Sequence, residues 1–94
     1  MDPQENTSAN PTSAPTTAGQ LLRQVMDNKG ILHVEVAKQL GVSRGVLSRY
    51  VNGTRNFTPK LALRLEAILG VPAEEYMKLQ ITSQLKQLRA AQQR

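Results

Sequence analysis

Arg44, Gly45, Ser48 and Arg49 are spaced i, i+1, i+4 and i+5, the intervals that bring side chains to one face of a helix. Such a face would carry two guanidinium forks, one small hydroxyl and no bulky apolar group. A guanidinium matches guanine O6 and N7 with paired donors, a serine hydroxyl donates or accepts at a base edge, and glycine leaves room for close approach. The chemistry is recognition of duplex DNA. The same residues would also suit a plain αα-hairpin whose basic face meets only water.

The surrounding charge bears on that choice. Residues 29–64 hold seven basic side chains against Glu35 alone, whereas residues 1–28 hold Arg23 against Asp2, Glu5 and Asp27. The net charge of +5 is therefore concentrated around the four residues above. A basic focus of this kind favours a polyanionic partner.

Two short amphipathic segments meeting at a glycine turn position the face. The first, near His33 to Leu40, buries Val36, Ala37 and Leu40 and stops at Gly41. Ser43 suits the cap of the next, about Arg44 to Val51, which closes at Asn52-Gly53. A small residue at 37, the turn at Gly41 and inward-facing Leu47 and Tyr50 give the separations of a helix-turn-helix, whose first helix props the second against the major groove. Upstream, Thr17-Ala18-Gly19-Gln20 has the form of a capping box. It opens a helix with Leu21, Leu22, Val25 and Met26 on its inner stripe and Gly30 at its end. Thr58-Pro59 opens a fourth helix carrying Leu61, Ala62, Leu65, Ile68 and Leu69 up to Gly70. A fifth, from Pro72 to about Ala91, has Glu74 and Glu75 in its first turn, where the helix dipole favours them.

The expected architecture is all-α: a five-helix DNA-binding domain over 17–94, with a helix-turn-helix. A disordered arm is expected over 1–16, because "MDPQENTSANPTSAPT" offers almost no apolar surface to offset its ordering entropy. Met77, Ile81, Leu85 and Leu88 form a stripe that runs past what a core of this size needs. They are the candidate subunit contact of a homodimer.

Several functions are set aside. With no cysteine and a single histidine, the chain offers no disulfide, no thiolate nucleophile and no zinc site; no cofactor or metal is expected. Adjacent Glu74 and Glu75 splay apart on a helix and make a poor acid/base pair, so the protein is not read as an enzyme. Lacking an apolar run of the roughly 20 residues that span a bilayer, it is expected in the cytoplasm, away from membranes. His33, first in its helix, could donate to a phosphate or be an ordinary surface residue.

The stretch "HVEVAKQLGVSRGVLSRYVNG" resembles the helix-turn-helix of the Cro/cI-type (Xre) repressors in its small residue, turn glycine, serine-capped recognition helix and Asn-Gly exit. Its continuation "RNFTPKLALRLEAILGVPAEEYMKLQ" resembles the HigA-type antitoxins: a Thr-Pro start, an Ala-Leu-Arg-Leu helix, a Leu-Gly stop and a Leu-Gln segment follow in order. The likeness runs roughly from Ala18 to Leu88 and implies a lambda-repressor-like fold. Thr17-Ala18-Gly19 stands where that family has His-Pro-Gly, Leu32 where it has a polar cap, and Glu75-Tyr76 where it has an aromatic pair.

The resemblance implies base contacts from Arg44, Gly45, Ser48 and Arg49, and phosphate contacts near His33, Ser43, Asn52, Thr54 and Arg55. It further implies a repressor on a palindromic operator that serves as the antitoxin of a type II toxin–antitoxin module. The partner would then be a cognate toxin of RNase type. Two other readings remain: a stand-alone phage-type or chromosomal regulator without a toxin, and an enzyme-inhibiting interaction module with incidental DNA affinity. The acidic, Pro/Thr-rich arm could order against a basic toxin or act only as a solubilising tail.

Overall fold

A computed structural model describes residues 14–92. Among these the chain forms five helices and no strand: α1 (Ala18–Lys29), α2 (His33–Leu40), α3 (Arg44–Asn52), α4 (Pro59–Leu69) and α5 (Ala73–Gln92). The all-α expectation holds. The expected arm lies outside the described residues as far as position 13. Thr16, assigned to it from composition, is tied down: its carbonyl accepts from Ser83 Oγ at 2.9 Å and its N–H donates to Gln20 Oε1 at 2.8 Å.

Hydroxyl caps open three of the helices. Thr17 accepts from the Gln20 N–H, Ser43 from that of Val46 and Thr58 from that of Leu61, each at 3.1 Å. The return half of the first capping box is displaced by one residue, since Gln20 Oε1 takes the N–H and hydroxyl of Thr16 rather than the N–H of Thr17. Leu32 opens α2 with no side-chain cap. The fifth helix starts at Ala73, one residue later than expected, and Glu66 Oε1 accepts its first N–H at 2.8 Å. This cap is supplied from seven residues upstream.

The helices enclose one core. Leu22 and Met26 of α1, Val36 and Leu40 of α2, Leu47 of α3, Leu65 of α4 and Tyr76 of α5 are its most deeply buried large side chains. The prop helix α2 lies against α3 and α4, while α5 lies against α1 and α4. Removing side chains of this size from water is worth about 1.5–3 kcal/mol each, so a minimal domain can hold α3 firmly in place. Gly41, with φ of 75°, makes the sharp turn between α2 and α3.

Phe57, in the loop after α3, is buried between two aromatic rings. It meets Tyr50 edge-on at 5.4 Å and stacks on Tyr76 at 5.7 Å. Tyr76 Oη is buried without a hydrogen bond among the described residues, and burial pushes its pKa up from 10.0 to about 12.

Candidate nucleic-acid interface

The sequence of α3 divides it into two faces. Leu47 and Tyr50 are buried, and Val46 and Val51 are half-buried against the core. Arg44, Gly45, Ser48 and Arg49 are all exposed, as their spacing requires. A Cβ added at Gly45 would meet nothing closer than Ser43 Oγ at 3.8 Å, so the fold itself does not require glycine there. Glycine inside a helix is less favourable than alanine by about 0.5–1 kcal/mol, a cost with no return inside the protein.

Of the residues assigned to phosphate contact, Asn52, Thr54 and Arg55 gather where the chain leaves α3. Besides the N–H of Gly53, three donors converge on the Arg49 carbonyl: the N–H of Thr54 at 3.0 Å, the N–H of Arg55 at 3.2 Å and the Thr54 hydroxyl at 3.3 Å. Asn52 Nδ2 donates to Ser48 Oγ at 3.3 Å, which joins a residue expected to meet bases to one expected to meet the backbone. The Arg55 guanidinium lies over the Tyr50 ring, 5.4 Å from its centre, a cation–π contact that orients it without neutralising it. Ser43 spends an acceptor on its helix cap and keeps its O–H to donate. His33 opens α2 half-buried, outside this network.

A polar groove of about 410 Å³ runs beside the exit, walled by the start of α1, the end of α3 and the inner side of α5. Arg23, Asn56 and Gln87 line it together with Asn52 and Arg55. Sequence spacing gave no sign of Arg23, because the wall is assembled from three separate segments. On α5, Met77 is half-buried against the core, while Ile81, Leu85 and Leu88 are 50%, 42% and 60% exposed. Among the described residues there is no group of side chains that could hold a metal ion, and no helix long and apolar enough to cross a membrane.

A family model described as helix-turn-helix matches residues 22–76, which span the two crossed helices, the exit and α4. The chain belongs to the Xre-type helix-turn-helix family. The chain spans less than two thirds of the length of the curated relatives it matches. This helix-turn-helix protein is similar to the virulence-associated protein A′ of Dichelobacter nodosus, with 35% identity over 75 residues, 79% of this chain and 65% of that protein's length. Among solved structures it is similar to a candidate antidote protein of a plasmid maintenance system from Nostoc punctiforme. There the TM-score is 0.75 and the identity 26%, over 86% of this chain and 89% of the other. It is also similar to the Pseudomonas aeruginosa antitoxin HigA solved with the higBA promoter, with a TM-score of 0.72 and 26% identity over 83% and 86% of the two chains.

Proposed function

We propose that this helix-turn-helix protein is a homodimeric repressor that reads a palindromic operator and serves as the antitoxin of a type II toxin–antitoxin pair, neutralising an RNase toxin and repressing its own operon. The observation that carries the DNA reading is the outer face of α3. Its two guanidinium groups, hydroxyl and glycine are fully presented, and the rest of the helix is fixed by core packing and the Ser43 cap. In this reading Arg44, Gly45, Ser48 and Arg49 touch bases, while His33, Ser43, Asn52, Thr54 and Arg55 touch phosphates. The apolar stripe on α5 from Met77 to Leu88, exposed at Ile81, Leu85 and Leu88, joins two copies, so that two recognition helices meet two half-sites. Similarity to an antidote protein and to an antitoxin in complex with a promoter supports the antitoxin role. The protein acts by binding, and no residue is assigned to catalysis.

Two measurements test this. The wild-type protein selects an operator from a random duplex pool, and variants are titrated against that operator and a scrambled duplex. Arg44→Ala and Arg49→Ala should each relax base preference by about 1–3 kcal/mol if the contact is bidentate to guanine, whereas Arg55→Ala should weaken both duplexes alike. Equal losses on both duplexes for all three variants would displace the base-reading face from α3. Co-expression with the product of the neighbouring gene tests the antitoxin role: a stable complex that suppresses RNA cleavage supports it, and a neighbour that neither binds nor cleaves RNA returns the protein to the stand-alone regulator.

A further inference from the structure

The Leu79-Gln80 pair lies far along the sequence from the recognition helix, yet Gln80 reaches back to the loop that leaves it. Its carboxamide pairs with both polar groups of the Phe57 backbone: the Phe57 N–H donates to Gln80 Oε1, and Gln80 Nε2 donates to the Phe57 carbonyl at 2.6 Å. An amide edge satisfies a donor and an acceptor together, a match that no charged or apolar side chain of this length reproduces. The segment from Gly53 to Phe57 is thereby held at two ends. At the near end, Thr54 and Arg55 are hydrogen-bonded to the Arg49 carbonyl. At the far end, Phe57 is fixed through its backbone by Gln80 and through its ring by Tyr50 and Tyr76. The Arg55 side chain leaves the near end toward the far one, its guanidinium laid over the Tyr50 ring that also receives Phe57.

We infer that Gln80 is a positioning residue for DNA binding: by anchoring the far end of the exit loop to α5, it fixes in advance the place from which Arg55 meets the DNA backbone. The inference rests on the proposed DNA-facing role of Arg55. Its physical content is preorganisation. A loop already fixed in its bound form loses little conformational freedom when a phosphate is engaged, and a loop held at one end must be ordered at that moment. Gln80 itself touches no DNA in this account. Its removal should therefore weaken backbone contact and leave base reading unchanged.

The test is a double-mutant cycle between Gln80→Met and Arg55→Ala. Methionine keeps the length and packing of the side chain and removes both hydrogen bonds. Gln80→Glu is a second variant that keeps an acceptor for the Phe57 N–H, loses the donor and turns a carboxylate oxygen toward the Phe57 carbonyl. Affinities are measured for the duplex selected by the wild type and for a scrambled duplex, at several salt concentrations and at a temperature where circular dichroism shows each variant folded. Gln80→Met should lower both affinities by about tenfold and reduce the salt slope by about one, the loss of one backbone contact. Gln80→Glu should lose at least as much, because its carboxylate repels both the Phe57 carbonyl and an approaching phosphate. In the Arg55→Ala background Gln80→Met should cost little more, because the residue through which it acts is gone. Equal losses with and without Arg55 would overturn the inference, as would a lost preference for the selected duplex or an Arg55→Ala variant that binds like wild type. A wild-type protein that fails to bind duplex DNA would instead remove the underlying functional reading.

Discussion

Replacing Gly19 by alanine tests how closely α1 rests on the recognition helix. A methyl group there would sit 2.3 Å from the Val51 carbonyl oxygen, 2.6 Å from that of Tyr50 and 2.9 Å from the Val51 carbonyl carbon. All three obstacles are main-chain atoms of the last turn of α3, so no side chain can rotate away. Restoring ordinary contact requires the helices to part by about 1 Å. That movement is resisted by fully packed Ala18 and Leu22 on one side and Leu47 and Tyr50 on the other. Overpacking of this kind costs about 1–3 kcal/mol. Against it stands the better helix propensity of alanine, worth about 0.5–1 kcal/mol.

The expected net loss is about 1–2 kcal/mol, which for a domain of this size lowers Tm by about 5–15 °C at roughly 4–8 °C per kcal/mol. Thermal unfolding followed by circular dichroism reads this directly. Because the strain falls on Tyr50 and Val51, operator affinity should decline even where the variant is folded. A Gly19→Ala protein as stable as the wild type would refute the close main-chain approach and the packing argument built on it.

The same substitution at Gly45 should behave oppositely: Tm unchanged or slightly raised, operator affinity reduced, with an unaltered affinity counting against close approach of DNA at that point. Tyr76 gives a pH dependence. With its folded pKa raised to about 12 from 10.0, the unfolded chain loses the phenol proton first as pH rises through that window, so the folded state loses stability there, by about 2–3 kcal/mol in all. Tyr76→Phe should remove this share of the alkaline loss in denaturant titrations and cost little at neutral pH, where the buried hydroxyl has no partner among the described residues; identical alkaline profiles for both proteins would contradict it. Leu85→Glu combined with Leu88→Glu should give a folded monomer with much weaker operator binding, since like charges would face their own copies across a two-fold axis. Light scattering that still reports a dimer would move the interface off α5.

Most helix boundaries were legible because they are written in consecutive residues. Ser43 and Thr58-Pro59 start helices, Gly41 and Gly53 stop them, and the exposed set on α3 follows from helical spacing alone. What escaped depends on residues distant in sequence. Phe57 and Tyr76 belong to no periodic stripe, yet their stacking builds the far wall of the core. Glu66 caps α5 across a turn, and Gln80 bonds a loop 23 residues away; polar contacts of that range leave no local pattern. Gly19 was part of a capping signal, and the reason for glycine became visible only when α1 was laid across α3. Arg23 joined the exit groove for the same reason.

The division of α3 into two faces has a consequence for how such a protein can change over generations. The fold draws on Leu47, Tyr50, the Ser43 cap and the main-chain carbonyl of Arg49, and on the outer side chains scarcely at all. If the proposed base contacts hold, substitution at 44, 45 or 49 would redirect the protein to a new operator while leaving the scaffold's stability almost untouched. Ser48 is the exception, because its hydroxyl accepts from Asn52. A lineage that alters position 48 must adjust 52 as well or bear a loosened exit. Diversification should thus proceed by free drift at three sites and by paired change at the fourth.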